Sequence, residues 1–500
     1  MSLAAAPDTA ATGTGRGRPG GTTWPAGARG WLVAAVSLVL AANVMFSRYM
    51  FPDSFYDLYS ARYILHHGVP HTNVVTVAAH GAPWIDQQWL AQVLFYGAWA
   101  AGGFRALAAL SAILVTFGFA VLALLMLRRG VPPPRMFIWT LAAFAVCMGN
   151  TGIRAQSFGY PCFALTLWLL LDDDQAPRLR ARTWLVIPVL LVWANTHGSV
   201  LLGAGLVALY AGYRVIRTLA GREWRPIPPY LALAAAAVAS VACTPYGIGV
   251  IGYYRRFIGN PVLSRYIVEW ARPSPLDRFS WCFFGLLVLS AAAVVIAWRR
   301  DTRPDPLLLG ITGLLLALAF SAVRNQAWFG FGGSLLAADT LARSSGGPGP
   351  AFSTAARRTV ASVLAALALA SLGVLAVTPD SQFGTQVPQR AVDVAAALAA
   401  AHPATRILGD DWASTPLLWQ HPALLGRVAF DIRVEQYTSR ELTAYIDFLF
   451  RRGPHWQRLM TGYQIVVVSR QGHPQLADAL ARLPGWRVVY RGRDGLVLAR

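Results

Sequence analysis

Five short stretches of this chain carry ionisable or strongly polar side chains against long apolar runs. They hold Asp53, Asp57 and Asp86; Arg154 and Gln156; Asn195 and His197; Tyr246 and Glu269; and Arg324 and Asn325. Such groups are costly beside hydrocarbon and are functional candidates by default. Their types suit proton and anion chemistry. A partly buried carboxylate has a raised pKa and can serve as a general base. Arginine presents paired N–H donors in a fixed fork that fits an oxyanion.

Each residue also has a plainer reading. Asp53 follows Pro52 at the head of an amphipathic stretch and could be a helix N-cap. Asp57 is one turn further along the same face, where it could assist Asp53, ligate a divalent ion or meet solvent. Asp86 could order the loop before Trp89. His197, next to Gly198, could satisfy backbone at a helix end. Arg154 and Arg324 could snorkel to lipid. Trp84, Trp89, Trp99 and Trp270 suit interfacial anchoring, although aromatic faces also stack on sugars. His66, His67, His71 and His80 match no metal-ligand spacing. We therefore assign no metal and no cofactor, with a divalent cation near Asp53 and Asp57 as the one alternative.

The elements that must position these groups are membrane helices. The chain is 55% hydrophobic and only 13% charged, half the charge of ordinary globular chains. Apolar runs of about 20 residues recur from Trp31 to Val377, and in hydrocarbon only helices satisfy the backbone of such runs. The runs predict about eleven spans, over 30–48, 104–127, 136–150, 157–171, 184–196, 199–217, 229–244, 281–298, 306–322, 326–342 and 358–378. The pair around His197 could form a re-entrant hairpin.

All 43 basic residues are arginine, giving a net charge of +20. They are scattered over short loops and not gathered on one element, which excludes a nucleic-acid partner. Most read as topology signals or lipid-headgroup contacts. Arg16, Arg18 and Arg29 place the N-terminus in the cytoplasm. Arg128, Arg129 and Arg135, then Arg178, Arg180 and Arg182, and three later groups mark the cytoplasmic loops. Loop 246–280 falls outside by parity yet holds five arginines, so it is either translocated despite its charge or lies on the membrane surface. The four cysteines sit in or beside apolar runs, without metal spacing, and imply neither disulfide nor zinc.

The expected organisation has three parts. Residues 1–28 form a disordered cytoplasmic tail. Residues 29–378 form an all-α polytopic bundle in the cytoplasmic membrane, with a long first outer loop at 48–103. Residues 379–500 form a small extracytoplasmic α/β domain. In that domain we expect helices near 390–402 and 474–483, a strand-like segment at 406–409, an amphipathic stretch around 440–452, an apolar run at 465–468, and a hairpin of 486–490 with 495–499. Two amphipathic stretches of the loop, 55–66 and 88–100, predict helices lying flat at the interface.

Several segments then resemble one superfamily in order along the chain. They are Pro52-Asp53-Ser54-Phe55-Tyr56-Asp57-Leu58, Gly68-Val69-Pro70 and Pro83-Trp84-Ile85-Asp86-Gln87-Gln88-Trp89-Leu90. They continue with Arg154-Ala155-Gln156, Trp193-Ala194-Asn195-Thr196-His197-Gly198, Thr244-Pro245-Tyr246-Gly247, Glu269-Trp270, and Asp431-Ile432-Arg433 with Tyr437. The series is similar to the GT-C polytopic glycosyltransferases, in a bacterial branch related to protein O-mannosyltransferases and lipid A aminoarabinose transferases. Three positions depart from that branch. Asp57 stands where His is usual, Ala155 where Pro is usual, and Gln88 where an acidic residue is common.

The resemblance implies transfer of a hexose or pentose from a polyprenyl-phosphate donor to an envelope glycan, lipid or protein, at the outer face of the bilayer. It implies a catalytic base in the first outer loop, with Asp53 as the leading candidate and Asp57 and Asp86 beside it. Arg154 and Arg324 would hold the departing phosphate, with Gln156, His197 and Trp89 also binding substrate. The braces of the soluble domain would be Asp431 and Arg433. Competing readings are a transporter, flippase or polymerase of lipid-linked glycans, and an inactive scaffold. Transporters favour repeats and polar groups near the midplane; this chain has no convincing repeat, and its polar groups lie at span ends.

Overall fold

The computed structural model describes residues 27–46, 49–222, 224–258, 260–345 and 352–500. The expected disordered tail, with Arg16 and Arg18, lies outside them, apart from its last two residues. The described residues begin with α1 (Ala28–Phe46) and α2 (Pro52–His67), followed by α3 (Trp89–Arg128), α4 (Pro133–Cys147) and α5 (Gly159–Asp173). Next come α6 (Val186–Thr196), α7 (Val200–Ala220), α8 (Ile227–Val241), and two short helices, α9 (Val250–Ile258) and α10 (Pro261–Tyr266). The bundle closes with α11 (Trp281–Arg299), α12 (Pro306–Ser321), α13 (Gln326–Ser344) and α14 (Thr354–Val377).

Five of these elements are long and apolar enough to cross a bilayer: α1, α3, α7, α11 with its preceding turn, and α14. The chain is a multi-pass membrane protein. Proline sets several helix starts, because its missing N–H costs nothing in the first turn. Pro133 and Pro134 thus open α4 three residues before the expected boundary.

The second amphipathic stretch of the first outer loop and the apolar span that follows it run as two helical segments of α3, as expected. The break falls at Gly102 and Gly103, and Gly103 has φ 65 and ψ −158, a conformation that side-chain-bearing residues avoid. The flat segment and the apolar segment are therefore two helices joined at a glycine break.

Two arginines are buried in ion pairs. Arg129 lies at the end of α3 remote from the loop, between Asp305 (2.7 Å) and Asp339 (2.9 Å). Arg214 is likewise buried, 3.7 Å from Asp174. A carboxylate at each helix end supplies the partner that a buried guanidinium requires.

Residues after α14 form a short helix α15 (Asp380–Phe383), then α16 (Gln389–Ala401), β1 (Ile407–Gly409), α17 (Asp411–Gln420), α18 (Ser439–Phe450), β2 (Ile465–Ser469), α19 (Pro474–Leu480), β3 (Arg487–Arg491) and β4 (Gly495–Ala499). The sheet order is β1-β2-β4-β3, with β1 parallel to β2 and the other pairs antiparallel. Strands β1 and β2 are buried throughout, as a near-continuous apolar run implies.

The first outer loop is fastened to this sheet. Val428 bridges in parallel to Ile407 on one side and to Thr76 on the other. The backbone N–H groups of Val77 and Ala78 donate to the carbonyls of Val428 (2.8 Å) and Ala429 (3.0 Å). Beside this seam the Tyr59 hydroxyl donates to Asp431 at 2.7 Å, and Arg433 donates to Asp431 at 2.8 Å and to Asn73 at 3.2 Å. The Arg433 guanidinium lies 4.2 Å from the centre of the Trp84 ring. On the other flank, Arg62 of α2 donates to the carbonyls of Leu418 and Trp419, and Trp99 of α3 packs edge-on against Trp419. Loop and C-terminal residues share one hydrophobic core.

Candidate active site

A cavity of about 1130 Å³ opens where the bundle, the first outer loop and the C-terminal residues meet. It is built from element ends. Helix α2 contributes Asp53, Tyr56 and Asp57 from its first turns, and the segment before α3 contributes Asp86, Gln87 and Gln88. Arg154 and Gln156 come from the turn before α5, His197 from the α6–α7 turn, and Glu269 and Trp270 from the turn after α10. Arg324 comes from the α12–α13 turn. Leu201, Leu202, Leu314 and Leu318 of α7 and α12 form an apolar wall that runs into the bundle.

Local packing fixes this geometry. Phe51 holds the N-cap position of α2, so Asp53 is not a cap. The Ser54 hydroxyl donates to the Ile153 carbonyl at 2.6 Å and ties α2 to the Arg154 turn. Gly198 abuts Gln87; a Cβ there would lie 3.0 Å from its side-chain oxygen.

The three loop carboxylates are not equivalent. Asp57 and Asp86 are each 1% exposed. Gln88 donates to Asp57 at 3.2 Å, while Tyr56 and Gln92 donate to Asp86 at 3.3 and 3.0 Å. In both, the second carboxyl oxygen is buried without a partner. Burial pushes Asp57 well above the usual range, reinforced by the charges of Asp53 and Asp86. Burial also pushes Asp86 up to about 7, against the pull of Arg433. Asp53 is raised by burial too, but it feels the Arg154 charge most strongly of its neighbours, then Glu269. Asp53 is therefore the loop carboxylate on the arginine side.

On that side, Arg154 donates to Glu269 at 2.6 Å, and Arg324 lies 4.5 Å from the centre of the Trp270 ring. Burial raises the Glu269 carboxyl, but Arg154 and then Arg324 outweigh it and hold it below the ordinary range. His197 is driven down to about 3, by burial first and then by the two arginines. Its Nδ1 accepts from the Ser199 backbone N–H at 3.2 Å. The ring is thus neutral at physiological pH, with its proton on Nε2. Seven of the eight expected site residues line one cavity. The eighth, Trp89, does not; its indole N–H donates to Asn195 at 2.9 Å.

Sequence reasoning missed the far wall. Asp411, Trp412 and Glu435, all from the C-terminal residues, also line the cavity. Burial pushes Glu435 up to about 7. The available signal was its place between Arg433 and Tyr437, but nothing local shows that this stretch meets α2. Among the described residues no group of three or more His, Cys, Asp or Glu side chains is placed to hold a metal ion.

Solved structures share this architecture. ArnT from Cupriavidus metallidurans, in a crystal structure bound to undecaprenyl phosphate, superposes with TM-score 0.50 at 16% identity, over 95% of this chain and 98% of that one. The arabinofuranosyltransferase AftD from Mycobacteria gives TM-score 0.52 at 15% identity, over 95% of this chain and 40% of AftD. The chain shares the fold of these two proteins. At such identity the likeness carries the fold alone. No family model and no curated protein sequence matches the chain.

Proposed function

We propose that this protein is a membrane glycosyltransferase that moves a hexose or pentose from a polyprenyl-phosphate donor to an envelope glycan, lipid or protein. One observation carries the reading: raised carboxylates, two arginines and an apolar wall meet in a single cavity. A lipid-linked donor needs all three. The wall of α7 and α12 leucines suits an isoprenoid tail, the arginines suit the departing phosphate, and a carboxylate takes the acceptor's proton as its oxygen attacks the anomeric carbon. Asp53 is the base, since Arg154 is the foremost charge acting on it, and Asp57 and Asp86 are the alternatives. His197 offers Nε2–H, and Gln156 an amide, to the same ligand. That ArnT was crystallised with undecaprenyl phosphate supports the donor class.

The same reading places eleven spans in the cytoplasmic membrane, with the N-terminus cytoplasmic and residues 379–500 outside as an α/β domain. The test is turnover of radiolabelled polyprenyl-phosphate sugars by purified protein in detergent. Wild type should release prenyl phosphate, and Asp53→Asn should slow release by about 100-fold or more, the scale of a lost general base. Equal release by both moves the base to Asp57 or Asp86. A folded wild type inert with every donor overturns the reading.

A further inference from the structure

Glu269 and Trp270 are adjacent in sequence, yet each engages a different cavity arginine. Glu269 accepts from Nη1 of Arg154 at 2.6 Å, and the Trp270 ring faces the Arg324 guanidinium at 4.5 Å. The turn carrying them is itself tethered: Val323, next to Arg324, donates its backbone N–H to the Ala271 carbonyl at 2.9 Å. Trp270 also packs edge-on against Phe257 of α9, which lines the apolar side of the cavity. Finally, Nε of Arg154 is buried without a partner. Glu269 holds one corner of the guanidinium at Nη1, which restrains its orientation in the cavity wall.

We propose that Glu269 and Trp270 are positioning residues that aim Arg154 and Arg324 at one anionic group, the phosphate of a prenyl-phosphate lipid. The proposal rests on the glycosyltransferase reading. It makes an unusual prediction. A carboxylate beside a phosphate site should weaken phosphate binding by simple repulsion; a carboxylate that orients the arginine should strengthen it.

The experiment measures the Kd of undecaprenyl phosphate for the full-length protein in detergent. Glu269→Ala should weaken binding about tenfold, the scale of one charge-assisted hydrogen bond, and Glu269→Gln, which keeps an acceptor in place, should restore most of it. Trp270→Ala should weaken binding while Trp270→Phe does not. Each loss should vanish when the partner arginine is already alanine, since a positioning residue has nothing left to position. Tighter or unchanged binding by Glu269→Ala, or losses that add to those of Arg154→Ala and Arg324→Ala, overturns the proposal and leaves the function standing. A wild type that binds no prenyl phosphate overturns both.

Discussion

Asp53 and Arg154 face the same cavity, and the Arg154 charge opposes the rise that burial imposes on Asp53. In the proposed mechanism Asp53 acts deprotonated, so kcat/KM should rise with pH through an acid limb above the ordinary carboxylate range. Removing the cation in Arg154→Ala should move that limb to higher pH, because the carboxylate loses its strongest stabilising charge. Removing the neighbouring negative charge in Glu269→Gln should move it lower. A pH–rate profile of the three proteins checks both directions, and a limb that stays put removes Asp53 as the base. At this scale the sequence was partly legible. Two of its departures from the resembling branch, Asp57 and Gln88, prove to be hydrogen-bonded to each other. Glu435 and Asp411 were not legible, since their proximity to α2 depends on chain packing hundreds of residues away.

The elements most exposed to perturbation are the loop and the C-terminal residues it grips. Arg433 is buried against Asp431, Asn73 and Trp84. Removing one partner of a buried pair leaves an uncompensated charge, at a cost of about 3–5 kcal/mol. Arg433→Ala should therefore lower thermal stability and open the 71–82 segment to proteolysis. Unchanged protease resistance would mean that the backbone seam alone holds the loop. Helix positions were readable because apolar run lengths report bilayer thickness. The break at Gly102 and Gly103 was readable as well, since the amphipathic stretch ends and the apolar run begins on either side of that glycine pair.

Across the bundle, the cavity and the Arg129 ion-pair cluster occupy opposite ends of α13. Helix α13 starts beside Arg324 at the cavity and ends with Asp339 and Arg343 in the Arg129 cluster. Its 19 residues span about 28 Å at the helical rise. Arg129→Ala should destabilise the bundle by about 3–5 kcal/mol, whereas Arg299→Ala, at an exposed helix end, should change stability by less than about 0.5 kcal/mol. Thermal inactivation of the two variants in detergent separates them. Arginine count alone could not distinguish these roles. The topology pattern treats every loop arginine alike, while burial depends on whether a carboxylate waits on a neighbouring helix.

The seam between the first outer loop and the C-terminal sheet also sets an order of events during synthesis. Tyr59 and Asp431 are 372 residues apart in sequence. At ribosomal speeds of about 5–20 residues per second, the loop is made roughly 20–75 seconds before its partner. Through that interval Val77 and Ala78 present unpaired strand backbone. The far wall of the cavity, which begins at Asp411, is made about 325 residues after Asp86, so the cavity is walled on all sides only once both stretches have been synthesised.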